Sequence, residues 1–152
     1  MNSIRQDLQK RHQELLGVVD SWLKSMPSGL VKLHQETSDF KYTITLSSQN
    51  PDTAKLTLTV DEADKYIFSV GEGMQVELSY EKAFLIELLN ATKNGQFVEV
   101  VKINRGKLIS SKGTIILSSG EKWTSYASNP LQWLLSLFST STQVQKRHYA
   151  PW

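Results

Sequence analysis

The side chains that most often carry chemistry in proteins are few in this sequence and far apart. It contains no cysteine, which excludes disulfides, thiolate metal sites and a cysteine nucleophile. None of the three histidines has a second histidine or a carboxylate three or four residues away, the spacing that a metal site on a helix uses. These histidines are His12, His34 and His148. The sequence therefore predicts no metal site.

Two short stretches contain parts of ligand-binding motifs. The acidic stretch 61–64 could bind a hard cation, but it lacks the spaced oxygen ligands of a calcium loop, so we interpret it as a solvated turn. The stretch Gly71–Gly73 lacks the third glycine and the following helix of a dinucleotide site. The chain has no Gly-x-Ser-x-Gly stretch to supply a nucleophilic serine. We therefore expect a protein without a cofactor and without enzymatic activity.

Basic residues are concentrated between positions 102 and 122, close to aromatic side chains that could stack on bases. Single-strand nucleic-acid binders use this combination. However, Glu99 and Glu121 interrupt the positive run, and the sequence pI of about 8.8 is below the value of about 9 typical of such domains. Nucleic-acid binding is therefore an alternative and not the leading hypothesis. Its candidate residues are Lys102, Arg105, Lys107, Lys112, Lys122 and Trp123.

An amphipathic N-terminal helix and an antiparallel four-strand meander are predicted for the first half of the chain. Apolar residues recur on one helix face from Ile4 to Met26, and Pro27-Ser28-Gly29 ends the helix, although residues 30–33 could add one more turn. From Phe40 the apolar period changes to two, which is typical of strands with one solvated face. The four predicted strands are 40–46, 56–60, 66–70 and 74–78.

A central helix, a three-strand meander and a C-terminal helix are predicted to follow. Apolar spacing indicates the central helix from Glu81 to Thr92, and Asn94-Gly95 ends it. Asn129-Pro130 begins the C-terminal helix with a capping side chain and a proline. Because the strands alternate, we expect antiparallel sheets and the α+β fold class. The three strands of the second meander are 97–103, 107–117 and 122–126.

The C-terminal helix is apolar on more than one side. One apolar stripe runs along residues 131–138, and Trp133 and Leu137 lie outside it. A helix that is apolar nearly all round is either buried on several sides or covered by another chain. Trp133 and Leu137 are therefore predicted to bind a partner.

The tail of residues 139–152 is rich in serine, threonine and glutamine, a composition typical of disorder. Its last residues include Tyr149 and Trp152, and such aromatic side chains bury a large area at a low cost in conformational entropy. We expect these two residues to anchor the tail on its own domain or on a neighbouring chain. They complete the predicted partner-binding set.

The length of 152 residues suits a single α+β domain of residues 1–138 followed by the tail of residues 139–152. Charged residues stand where the apolar core of a secretory signal would lie, and the chain has no run of about 18 apolar residues. We therefore expect a soluble cytoplasmic protein that does not bind membranes.

The order of helices and antiparallel strands is similar to that of small α+β proteins that bind other proteins, such as secretion chaperones and toxin-neutralising proteins. The leading hypothesis is a non-enzymatic protein–protein interaction module of the chaperone, adaptor or immunity type. Its partner would be another protein or a second copy, most simply in a homodimer. A small-molecule-binding protein with a pocket between helix and sheet is a further alternative.

Overall fold

Alternating apolar residues organise the first half of the chain into a five-stranded antiparallel sheet and the second half into a four-stranded one. The computed structural model describes residues 2–38, 40–61, 65–72, 74–79 and 81–152. Within these ranges it has three helices and two antiparallel sheets, so the α+β prediction is confirmed. The acidic turn expected at 61–64 and the stretch Gly71–Gly73 lie partly outside the described residues.

The elements follow one another in this order. The first half contains α1 (Asn2–Leu23), β1 (Val31–Ser38), β2 (Lys41–Ser48), β3 (Leu56–Asp61), β4 (Tyr66–Val70) and β5 (Met74–Leu78). The second half contains α2 (Lys82–Lys93), β6 (Phe97–Asn104), β7 (Lys107–Ile116), β8 (Lys122–Ser128), α3 (Pro130–Ser136) and β9 (Thr142–His148).

The main core lies between the first sheet and helices α1 and α2. Inward residues such as Ile44, Leu58 and Phe68 are fully buried, whereas the threonines between them are only partly covered. Burying side chains of this size stabilises the fold by about 1.5–3 kcal/mol each. The two helices add Leu8, Leu15, Val19, Trp22, Leu85, Leu88 and Leu89 to this core.

The first sheet has one strand more than expected, so the prediction of a four-strand meander is wrong. Strand β1 occupies the position where another helical turn was considered, and it pairs with β2 from Val31 opposite Ser48 to Ser38 opposite Lys41. It is an edge strand and its residues after Leu33 are exposed, so it lacks the apolar alternation by which strands are recognised.

The second sheet is extended beyond the predicted three-strand meander by β9, which forms from the tail. The strand order is β8-β7-β6-β9, and β9 pairs with β6 from Thr142 opposite Asn104 to His148 opposite Val98. Hydrogen bonding to the edge of β6 thus orders a segment whose composition is typical of disorder. Helix α3 connects β8 with β9, the two outer strands.

The two sheets meet where β5 lies beside β7 and β8. The Ser125 hydroxyl accepts a hydrogen bond from the Gln75 N–H at 3.2 Å and donates one to the Gln75 carbonyl at 2.8 Å. Gly113 faces Met74 so closely that a Cβ at this position would lie 2.7 Å from the Met74 Cβ. The close contact of the sheets therefore depends on a glycine in the middle of β7.

The end of the chain docks on the end of α2 and on the first half of the protein. The Trp152 N–H donates to the Lys93 carbonyl at 2.8 Å, and its indole N–H donates to the Ala54 carbonyl at 3.0 Å. The Trp152 ring meets the buried Trp22 ring edge-on, with centroids 6.0 Å apart. Gly95 has φ of 71° and passes so near Tyr149 that a Cβ there would lie 2.8 Å from the Tyr149 carbonyl oxygen.

Substituting Gly113 tests this account of the sheet junction. We expect Gly113→Ala to lower the free energy of unfolding by about 1–3 kcal/mol, because the added methyl group overpacks the contact with Met74. The matched control is Gly17→Ala in α1, where an added Cβ has no neighbour within 4 Å. It should raise the stability by about 0.5–1 kcal/mol through helix propensity. Urea unfolding measures both changes, and equal stability of Gly113→Ala and the wild type would contradict the junction.

Candidate interaction surface

Helix α3 turns its polar side towards the sheet. The Asn129 side chain caps the helix by accepting the Gln132 N–H at 3.2 Å, and Pro130 follows at the first helical position. Gln132, Ser136 and Ser139 are the partly covered residues of this segment, and their spacing of four and three places them on one side. The Ser139 hydroxyl donates to the Asn104 side-chain oxygen at 3.0 Å.

The large apolar side chains of the same segment point outwards. No residue of α3, which the structure describes in full, is buried. Trp133 is 54% exposed, Leu137 60% and Phe138 87%. An ordinary surface helix has the opposite orientation, with its apolar stripe on the core. We define the α3 apolar surface as Leu131, Trp133, Leu134, Leu135, Leu137 and Phe138, each at least half exposed.

A groove runs between α3 and the β6–β7 hairpin. It has a volume of about 320 Å³, and its walls include Leu135 and Phe138 from the helix segment and Arg105 and Lys107 from the hairpin. The Asn129 N–H donates to the Ile109 carbonyl at 2.8 Å, which holds the start of the helix against β7. The helix side of the groove therefore combines Leu135 and Phe138 with the polar Gln132 and Ser139, whereas the hairpin side is positively charged.

The four predicted partner-binding residues lie in two different places. Trp133 and Leu137 are exposed on α3, as a role in binding requires. Tyr149 and Trp152 pack against the protein's own core and are only partly exposed. The structure therefore does not bring the tail aromatics together with the helix.

A buried carboxylate holds the tail in place, and sequence reasoning did not identify it. Glu99 is fully buried, and its Oε1 accepts the Glu72 N–H and the Ser111 hydroxyl, each at 3.0 Å. Its Oε2 accepts the Tyr149 hydroxyl at 2.7 Å. In the sequence, Glu99 stands out only as an interruption of the basic run. Glu99 lies two residues from Phe97 and two residues from Val101, and this spacing in a strand indicates that it shares their buried face.

The environment of Tyr149 favours its neutral form. Burial, followed by the hydrogen bond to Glu99, raises the pKa of Tyr149 to about 12. The ring also stacks on Phe97, with centroids 5.2 Å apart. Two residues earlier in the chain, Arg147 forms an ion pair with Glu72 at 3.3 Å. These contacts join β9 and the tail to the turn between β4 and β5.

Three of the predicted nucleic-acid-binding lysines share the outer face of the second sheet. Lys102, Lys112 and Lys122 are exposed there, and β9 adds Lys146, which the sequence analysis did not include. Tyr126 is 73% exposed, and the Lys112 ammonium lies 5.4 Å from the centre of its ring. Register aligns Lys146, Val100, Lys112 and Tyr126 in one row across the four strands. We name Lys102, Lys112, Lys122, Lys146 and Tyr126 the basic face.

The other three residues of that set lie elsewhere. Arg105 and Lys107 belong to the β6–β7 hairpin beside α3. Trp123 points inwards and packs on Phe84, with ring centroids 4.9 Å apart. Of the two aromatic residues that the sequence places near the lysines, Tyr126 is therefore the one available for stacking on a base.

The described residues contain no cluster of three or more side chains able to hold a metal ion. His12 stacks on Tyr42 with centroids 4.4 Å apart, and burial lowers its pKa, so it belongs to the packing of α1 on the sheet. The apolar cavity between the helices and the first sheet, lined by Leu15, Phe68 and Leu85, holds about 10 Å³, room for about one water molecule. A wider and open depression of about 530 Å³ lies beside Arg5.

Comparison with protein-family models and with curated proteins gives no match to this chain. Among the described residues, no helix combines the length and the apolar character needed to cross a membrane. The site must therefore be interpreted from its own geometry.

The contact between Tyr149 and Glu99 predicts a specific dependence of stability on pH. Tyr149→Phe should lower the free energy of unfolding at pH 8 by about 1–2 kcal/mol, because it removes a hydrogen bond to a buried carboxylate. The unfolded tyrosine has a pKa of about 10. Since the folded pKa is higher, this stabilisation is complete below pH 10 and is lost as the pH rises to about 12.

Urea unfolding of the wild type and Tyr149→Phe from pH 8 to pH 12 measures this effect. The stability difference between the two proteins should shrink above pH 10. The exposed Tyr126→Phe serves as the control and should change the stability by less than about 0.5 kcal/mol at pH 8. A difference between wild type and Tyr149→Phe that stays constant to pH 12 would contradict the assigned contact.

Proposed function

We propose that this protein is a non-enzymatic protein–protein interaction module that binds through the α3 apolar surface. The observation that carries the proposal is the orientation of α3, whose polar side meets the sheet while six large apolar side chains face outwards. Contiguous exposed apolar area of this kind is typical of surfaces that another molecule covers. Trp and other aromatic residues are enriched among the residues that dominate binding energy, so Trp133 is the central candidate.

Packing of the rest of the protein supports a role in binding. The tail and β9 are held by Glu99 and Trp152, so α3 is attached to an ordered strand at each end. A surface fixed in this way loses little conformational entropy when a partner binds. The partner is another protein or a second copy of this chain.

Light scattering of the purified protein tests this proposal. We expect either a mass above that of one chain or a stable complex with a co-purifying protein. The triple substitution Leu134→Ser, Leu137→Ser and Phe138→Ser should give a monomer whose stability is within about 0.5 kcal/mol per site of the wild type, because these side chains are exposed.

Ile4→Ser is the matched control, since Ile4 is an exposed apolar residue on α1, far from α3 in the chain. It should leave the association unchanged. A wild-type protein that is monomeric at every concentration and co-purifies with nothing would refute the proposal, and so would unfolding of the triple variant.

Single-stranded nucleic-acid binding is a second candidate, favoured by the basic face. Its lysines lie on adjacent strands of an exposed sheet, with Tyr126 as a stacking platform. If about three lysines contact phosphates, the logarithm of the affinity should fall with the logarithm of salt concentration with a slope of about −2.

Fluorescence anisotropy with labelled oligothymidylate measures this slope. Tyr126→Ala should weaken binding by about 1–3 kcal/mol through lost stacking. Lys41→Glu in the first sheet should have no effect and serves as the control, since Lys41 is exposed but distant in the fold from the second sheet. A response that is flat with salt would eliminate this candidate.

A further inference from the structure

The charges around the α3 apolar surface indicate what kind of segment it binds. Arg105 and Lys107 form the wall of the groove that faces Leu135 and Phe138. Lys102, three residues before Arg105, does not line the groove and belongs to the basic face of the sheet. A ligand in the groove would therefore meet leucine and phenylalanine side chains on one side and positive charges on the other.

Negative charge is nearly absent from the part of the chain that follows α2. Residues 96–152, all of them described, contain only two acidic residues, Glu99 and Glu121. Glu99 is buried and hydrogen-bonded to Ser111 and Tyr149, so it does not reach the groove. Glu121 lies in the turn before β8, at the opposite end of β7 from Lys107, about 30 Å away at the usual rise per strand residue.

These observations separate the candidate occupants. A symmetric contact between two copies would bring together two surfaces that each carry Arg105 and Lys107 and lack a nearby acid, at a cost in electrostatic repulsion. Nucleic-acid phosphates would satisfy the charges but leave the leucines uncovered. A flat membrane surface could cover the outward side chains of α3, but it would leave the groove itself unfilled, and the groove lining includes the amides Asn104 and Gln132, which suit the polar groups of a peptide.

We propose that the α3 groove binds an acidic, amphipathic segment of another protein, whose apolar side chains cover the α3 apolar surface while its carboxylates pair with Arg105 and Lys107. This inference rests on the proposed function and specifies the partner of the same site. Charge complementarity of this type increases the association rate and selects the partner more than it raises affinity.

Two synthetic peptides of about 15 residues test the proposal, with leucine and phenylalanine at the same helical spacing in both. One carries glutamate at every polar position and the other carries lysine. Fluorescence anisotropy of the labelled peptides with the full chain should show that the acidic peptide binds at least about ten-fold more tightly, and that added salt reduces this preference.

Charge reversal in the groove provides the decisive variant. Arg105→Asp with Lys107→Glu should weaken binding of the acidic peptide by about ten-fold or more and improve binding of the basic one. Arg105 has a φ of 49°, in the left-handed region, and aspartate adopts this conformation more readily than most residues do. Lys41→Glu, an exposed residue of the first sheet, is the matched control and should change nothing. Equal binding of the two peptides, or an equal effect of Lys41→Glu, would overturn the proposal.

Failure of this inference is distinguishable from failure of the proposed function. If the wild type self-associates through α3 but binds the two peptides equally, the interaction surface stands and the acidic partner is refuted. Vesicles containing phosphatidylglycerol provide the other comparison. Binding to these vesicles without binding to the acidic peptide would also overturn the proposal, because the surface would then recognise an anionic lipid layer.

Discussion

The buried carboxylate of Glu99 is the constraint on which the second half of this protein depends. Among the described residues, the Glu72 N–H, the Ser111 hydroxyl and the Tyr149 hydroxyl each donate a hydrogen bond to one of its two oxygens. Such charge-assisted bonds are about twice as strong as neutral ones, and an unsatisfied carboxylate in this position would be very costly. The three donors come from the turn before β5, from β7 and from the tail. Glu99 therefore joins both sheets and fixes β9.

The fixed position of β9 determines how α3 is presented. Strands β8 and β9 are at opposite edges of the second sheet, so the chain between them must cross about 14 Å, three strand spacings. Hydrogen bonds from the Asn129 N–H to Ile109 and from Ser139 to Asn104 attach both ends of the crossing with polar groups. These attachments place the polar side of the helix inwards and leave the large apolar side chains to solvent. The hydrogen bonds at the two ends of α3 therefore determine that the α3 apolar surface is exposed.

Much of this architecture is visible in the sequence where periodicity is strong. The helices and the interior strands have clear apolar spacing and were predicted, whereas the edge strands β1 and β9 gain order mainly from pairing with a neighbour. The sequence shows that α3 is apolar nearly all round, but it does not show which side faces the sheet. That orientation depends on distant contacts such as the hydrogen bond from Ser139 to Asn104, 35 residues earlier in the chain. The contact of Glu99 with Tyr149 spans 50 residues and leaves no local pattern. Lys146 lies in β9, which the apolar pattern does not predict, so the sequence did not place it with the other lysines.

The exposure of Trp133 in the isolated chain is the central claim, and acrylamide quenching of tryptophan fluorescence tests it most directly. Trp133 is 54% exposed whereas Trp22 is 6% exposed, so the two should differ in quenching. Comparing the wild type with Trp133→Phe at decreasing protein concentration isolates the Trp133 signal. Once dilution removes any partner copy, this signal should be quenched much more strongly than that of the buried Trp22. Protection of Trp133 at every concentration would show that α3 is buried in its own chain and would contradict the account.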